Sequence, residues 1–311
     1  MDPSHHLAHM CPFAVTTRDP LPLSIIGTAG PSTGLDFARW DENENGSYTE
    51  KDVELMARVI VEGHFASIRI NGAHVRPPER LPSVIQFIRD AIKVSDRENV
   101  RVLLDLGGPK IRTRNREVVF LTGTNLSTNK AGEPAETIIL STRFSDNDTI
   151  DGIPVIPVSY ADLSEDAQPG TWIKIDDGQV TLWVDRIDRV KGHIYCKILR
   201  GDRIEPGKGV NLIDASVSAP VLTDDLDIPQ LESMIRDLDP NEWPEFISLS
   251  FVKSVEDVRM FKSLFLDLVR RYEKTTCCAP GVIAKIERFE LFDCLEDAIK
   301  PTVLLGPPGV G

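Results

Sequence analysis

Cysteine is scarce: the 311 residues hold five, Cys11, Cys196, Cys277, Cys278 and Cys294. An odd count with no C-x-x-C pair and no zinc-like spacing excludes a disulfide framework and a cysteine-ligated zinc module, so the thiols are read as reduced. Positive charge is short as well, with 35 Lys and Arg against 48 Asp and Glu and a formal net charge of −13. Adhesion to nucleic acid or to an anionic membrane is thereby excluded as a main activity, because it needs a basic footprint. Local basic sites remain open. No apolar run approaches the roughly 20 residues that cross a bilayer, and Met1 to Pro22 lacks the basic-then-apolar order of a signal peptide, so the expected location is cytoplasmic. Aromatics make up only 6% of the chain, but 41% of it is hydrophobic, which supplies a packed core and excludes disorder as the dominant state.

What is present is an alternation of short apolar runs and amphipathic stretches. Residues 1–22, which include His5, His6 and His9, read as a flexible tail. Leu23 to Gly27 reads as a buried strand and Thr49 to Glu62 as a helix, with Val53, Met56, Ala57 and Ile60 on one stripe. Ala66 to Ile70 is strand-like, Leu81 to Val94 carries Val84, Ile85, Ile88 and Ile92 at helical spacing, and Arg101 to Leu106 is a third strand. This βαβαβ order favours a parallel sheet or barrel.

From residue 113 to 207 the pattern becomes short β-like pieces between Gly, Asn and Asp turns, which predicts a separate all-β insert. Its strands are Val118 to Leu121, Thr137 to Ser141, Trp172 to Ile175, Val180 to Val184 and Ile194 to Leu199, with Trp172 and Trp183 expected in its core. An Asp-Asp-Gly sequence at Asp176 to Gly178 suggests a tight hairpin turn. The βα rhythm then resumes over 208–311. Helices are expected near Asp225 to Leu238, Val255 to Tyr272 and Phe289 to Ile299, and strands at Phe246 to Ser250, Val282 to Glu287 and Thr302 to Leu305.

Parallel α/β barrels place their chemistry at the C-terminal ends of strands. The second predicted strand ends in Arg69-Ile70-Asn71, and alternation puts Arg69 and Asn71 on one side. The third ends in Asp105-Leu106-Gly107-Gly108-Pro109-Lys110-Ile111-Arg112, where two glycines let backbone approach a ligand. In Ala284-Lys285-Ile286-Glu287 a cation and a carboxylate share a side of a buried strand; either they form a structural salt bridge or they bind something. Lys110, Arg112, Arg114 and Arg116 stand at alternate positions and read most simply as a solvated edge entering the insert.

These segments, in this order, resemble the pyruvate kinases. The matching runs are Gly30-Pro31-Ser32, Ile68 to Asn71 with His74, Leu104 to Thr113, Ile175 to Gly178, Lys208 to Leu212, Leu249 to Val252 and Ala284 to Glu287, and the likeness covers about residues 22 to 311. It implies a TIM-type (β/α) barrel with an all-β lid domain inserted after the third strand: barrel over 23–112, lid over 113–207 and the second, truncated part of the barrel over 208–311. About six of the eight βα units would be present, with the family's C-terminal domain absent. It also implies transfer of a phosphoryl group from phosphoenolpyruvate to ADP, giving pyruvate and ATP, with Mg²⁺ and K⁺ as cofactors. By resemblance Arg69 contacts the transferring phosphoryl group and Lys285 stabilises its charge in flight. Arg112 and Lys208 face the nucleotide, Glu287 is a magnesium ligand, and Asn71 and Asp105 are potassium ligands.

Several positions depart from that pattern. Ala73 and Leu106 replace two hydroxyl-bearing potassium ligands, Gly107 stands where the family usually has Lys, and Lys110 where it commonly has an acidic residue. Pro307 replaces the second magnesium carboxylate, which leaves the magnesium site weak or lost. The expectation is therefore a phosphotransferase with activity weakened or lost. The alternative is a non-catalytic relative that binds anionic metabolites or a protein partner. An oligomer is compatible with the sequence, but the family tetramer, built partly on the C-terminal domain, does not transfer.

Overall fold

The computed structural model describes residues 25–43, 46–97, 99–121, 137–143, 149–213, 215, 217–275, 279–287 and 290–291. Strand β1 (Ile26–Thr28) leads through helices α1 (Phe37–Glu42) and α2 (Glu50–Gly63) to β2 (Ser67–Asn71), then through α3 (Leu81–Val94) to β3 (Arg101–Asp105). Helix α2 starts where Thr49 and Asp52 form a capping box, and it buries the predicted stripe of Val53, Met56, Ala57 and Ile60. Helix α3 buries Val84, Ile85, Ile88 and Ile92 in the same way. The short helix α1 has no sequence counterpart; Asp36 caps it, and Trp40 anchors it by donating its indole N–H to Gly34 O at 3.1 Å.

The chain then forms β4 (Val119–Phe120), β5 (Thr137–Ser141), β6 (Thr149–Ile150), β7 (Ile153–Pro157), the one-turn α4 (Leu163–Asp166), β8 (Trp172–Ile175), β9 (Val180–Asp188), β10 (His193–Arg200), β11 (Arg203–Ile204) and β12 (Val210–Ile213). It returns through α5 (Asp227–Asp237) to β13 (Phe246–Leu249), α6 (Val255–Arg271) and β14 (Gly281–Ala284). Strands β1, β2, β3, β13 and β14 lie side by side in that order, all parallel. Helices α2, α3, α5 and α6 contribute to the same apolar core as β2, β3 and β13. Burial of β3 beyond its first residue explains its unbroken apolar run.

Among the described residues this sheet is open, with β1 and β14 at its edges, and the closed barrel is not seen. The expected tail over 1–22, most of the helix Phe289 to Ile299, the strand Thr302 to Leu305 and Pro307 lie outside the described residues.

The nine strands between β3 and α5 divide into a seven-stranded sheet, ordered β12-β8-β9-β10-β5-β7-β6, and the pair β11-β4. They enclose a second core that includes Ile138, Leu140, Ile173, Leu182, Val184 and Ile194. Two sequence expectations change here. Val210–Ile213, assigned by sequence to the second part of the barrel, pairs antiparallel with β8, from Val210 opposite Ile175 to Ile213 opposite Trp172. Val217 and Ala219 pack into the same core, so this layer runs past residue 207. Trp172 is not core either. Ile173 and Ile175 point inward, so strand alternation turns Trp172 outward, 44% exposed and directly opposite Trp183. Asp176 to Gln179 does join β8 to β9 as a hairpin, with Asp176, Asp177 and Gly178 all at positive φ.

Candidate active site

Parallel register sets the site. Asn71 of β2 and Ser248 of β13 both lie level with Asp105 of β3, and Ser248 is level with Ile283 of β14, so four strand ends open onto one place. Asp105 is the common acceptor there, its side chain only 6% exposed. Its Oδ2 accepts from Arg69 Nε at 2.8 Å and from the terminal guanidinium nitrogen at 2.5 Å. Its Oδ1 accepts from Ser248 Oγ at 2.9 Å and from Lys285 Nζ at 3.2 Å. Lys285 also donates to Ser250 Oγ at 2.8 Å and lies 3.4 Å from Glu287 Oε1, while Glu287 Oε2 accepts the Phe251 amide at 3.0 Å.

A buried carboxylate between two cations meets the requirement that buried charge be paired. Arg69 and Lys285 nevertheless keep 31% and 29% of their side-chain surface exposed. Two partly exposed cations thus stand at the ends of β2 and β14, on either side of β3 and β13, both anchored on Asp105.

The turn after β3 is fixed from elsewhere in the chain. Gly108 has φ +62, which favours glycine, and a Cβ there would also crowd Ser250 Cβ and Phe251 Cδ2 at 3.1 Å. Asp227, fully buried at the start of α5, accepts the Gly107 and Gly108 amides at 3.0 and 3.4 Å and the Thr223 amide and hydroxyl at 2.9 and 2.8 Å. Burial pushes its carboxyl above the usual carboxylate range, against the pull of those four bonds. Replacing Asp227 by Ala leaves these buried donors without an acceptor. It is expected to cost on the order of 3 kcal/mol, read as a lower melting temperature, with Asp227→Asn losing less.

Past that turn, Lys110, Arg112 and Arg114 line a cleft of about 730 Å³ between the two layers. Arg112 donates to Gly207 O at 2.8 Å. Of the residues singled out by sequence, Arg69, Asp105, Lys285 and Glu287 are thus brought together, Asn71 stands level with Asp105, and Arg112 is in the cleft. Lys208 is elsewhere, bridging Asp176 Oδ2 and Glu205 Oε2, each at 3.1 Å. Sequence reasoning missed Ser248, although alternation in the predicted strand Phe246 to Ser250 puts it on one side with Ser250. It also missed Asp227, for which no local pattern exists.

A model of the pyruvate kinase barrel domain matches residues 22–304. The chain belongs to the pyruvate kinase family. It is 31% identical over 252 residues to the pyruvate kinase of Staphylococcus haemolyticus, an alignment covering 79% of this chain and 37% of that protein. Pyruvate kinase 2 of Synechocystis is 27% identical over 273 residues, covering 87% of this chain and 39% of the relative. A crystal structure of Cryptosporidium parvum pyruvate kinase shares the fold with a TM-score of 0.63 at 24% identity, covering 88% of this chain and 48% of the other. The chain therefore spans less than half the length of these pyruvate kinases. No helix among the described residues is long and apolar enough to cross a membrane.

Pyruvate kinases generally use Mg²⁺ and K⁺. Two of the side chains assigned to them by resemblance, Asp105 and Glu287, do not fit a metal as they stand. Both oxygens of Asp105 face cations, and Glu287 is engaged by Lys285 and by the Phe251 amide. Among the described residues no group of three or more His, Cys, Asp or Glu side chains could hold a metal ion.

Proposed function

We propose that the strand-end cluster carries out pyruvate kinase-type phosphotransfer between phosphoenolpyruvate and ADP, at a rate below that of full-length pyruvate kinases. The observation that carries the reading is the convergence of Arg69, at the end of β2, and Lys285, just past the end of β14, on Asp105 at the end of β3. Phosphoryl transfer asks a protein mainly for position and charge neutralisation. In this reading Arg69 holds the transferring phosphoryl group, Lys285 meets the charge that builds on it, and Arg112 holds the nucleotide phosphates. The low rate follows from the pairing already in place: Asp105 and Glu287 compete with substrate for Lys285. The test is pyruvate formation from phosphoenolpyruvate and ADP by the purified chain, with Mg²⁺ and K⁺ supplied. Slow but measurable turnover is expected, and none at all would sink the proposal.

The same pairing favours a second reading, a non-catalytic relative that binds anionic metabolites. Its mark would be calorimetric binding of phosphoenolpyruvate without pyruvate formation.

A further inference from the structure

Helix α5 carries a buried polar stripe that core packing does not call for. Asp227, Gln230 and Ser233 follow one another at helical spacing, and their exposures are 0%, 0% and 2%. The first two reach out of the helix to strand-end turns. Asp227 accepts the Gly107 and Gly108 amides after β3, and Gln230 Nε2 donates to Gly72 O and Val75 O, both at 2.9 Å, in the turn after β2. Ser233 Oγ donates to Pro78 O at 3.2 Å or to Gln230 O at 3.0 Å and reaches neither turn.

The two turns also touch each other and the cluster at Asp105. A Cβ on Gly72 would lie 2.9 Å from Asp105 O and 3.0 Å from Gln230 Oε1, and one on Gly107 would lie 3.1 Å from Ala73 Cβ. The turn after β2 is therefore seated directly between the end of β3 and α5. Stability alone does not account for Gln230 at this place. Its Oε1 is buried with no hydrogen-bond partner among the described residues, and Gly72 O already accepts the Val75 amide at 3.0 Å. A buried polar atom left unpaired is destabilising, and methionine fills a similar volume without one. A group that holds position while lowering stability is the mark of a site rather than of a core.

We propose that Gln230 is a positioning residue: with Asp227 it braces the turns after β2 and β3 on a single turn of α5, and so sets the distance from the Arg69 and Lys285 cluster to Arg112. The inference rests on the proposed phosphotransfer for its kinetic consequence, because transfer depends on how the phosphoryl group and the nucleotide phosphates are placed relative to each other.

The test is Gln230→Met in the full chain, read by steady-state kinetics with phosphoenolpyruvate and ADP and by amide hydrogen exchange. A fall in kcat of about tenfold or more is expected, with KM for either substrate changed by less than about threefold. The melting temperature should stay within about 5 °C of the parent. Asp227→Asn should lose kcat similarly, and the double variant should fall no more than about twofold below the worse single, since residues that act as one unit are not additive. In Gln230→Met the Gly107 and Gly108 amides should exchange about tenfold faster, although their bonds to Asp227 are kept. Ser233→Ala alters the same buried face without touching either turn, so its turnover and its Gly107 and Gly108 exchange should match the parent. Parent-like kcat in Gln230→Met, losses that multiply in the double variant, or an equal loss in Ser233→Ala would overturn the proposal. If the parent forms no pyruvate, the phosphotransfer reading alone fails and exchange decides the brace: faster Gly107 and Gly108 exchange in Gln230→Met upholds it, and parent-like exchange overturns it.

Discussion

Replacing Asp105 by Ala is expected to destabilise the protein by about 3 kcal/mol, measured as a fall in the urea midpoint at unchanged slope. The carboxylate is 6% exposed and accepts from Arg69, Lys285 and Ser248 at once. Removing it leaves two cations facing each other with their shared counter-charge gone. Breaking a fully buried pair costs about 3–5 kcal/mol. Arg69 and Lys285 are each about a third exposed and recover part of their hydration, which sets the expectation at the lower end. Inorganic phosphate should then stabilise the variant more than the parent, because it meets cations that Asp105 no longer occupies. A loss below about 1 kcal/mol would show the pairing to be close to neutral, as some buried ion pairs are against apolar replacements.

Lys285→Met separates chemistry from stability at the same place. Asp105 keeps both bonds from Arg69 and the one from Ser248, so the fold should lose much less than in Asp105→Ala. Turnover, by contrast, should fall on the order of 100- to 1,000-fold, the usual cost of removing one group that meets charge in the transition state. The fall should appear in kcat with little change in KM, since an interaction made mainly in the transition state is lost. Parent-like turnover in this variant would remove Lys285 from the mechanism and return it to a structural salt bridge.

Much of this arrangement is legible in the sequence because it is local. The 3.6-residue stripes of α2 and α3 and the apolar run of β3 follow from burial of one face or of both. Alternation along β2 and the predicted strand Val282 to Glu287 placed Arg69 beside Asn71 and Lys285 beside Glu287, although β14 itself ends at Ala284. What was not legible depends on pairing between distant segments. Val210 to Ile213 has no signal that separates it from a barrel strand, and only its ladder with β8 assigns it to the second sheet. Trp172 looked like core because it is large and apolar; its neighbours Ile173 and Ile175 decide which way it points.

The scarcity of basic residues shows the same division. The sequence by itself determined a chain rich in carboxylates, with no membrane span among the described residues and no cysteine-built site, and it located the cations that matter at predicted strand ends. Only the tertiary structure decided which cations are neutralised. Lys208 is held between Asp176 and Glu205, Arg69 and Lys285 share Asp105, and Lys110, Arg114 and Arg76 line a cleft without partners among the described residues. The reason is physical: net charge is a sum over the chain, whereas the potential in a cleft depends on which charges lie within a Debye length and which are already paired.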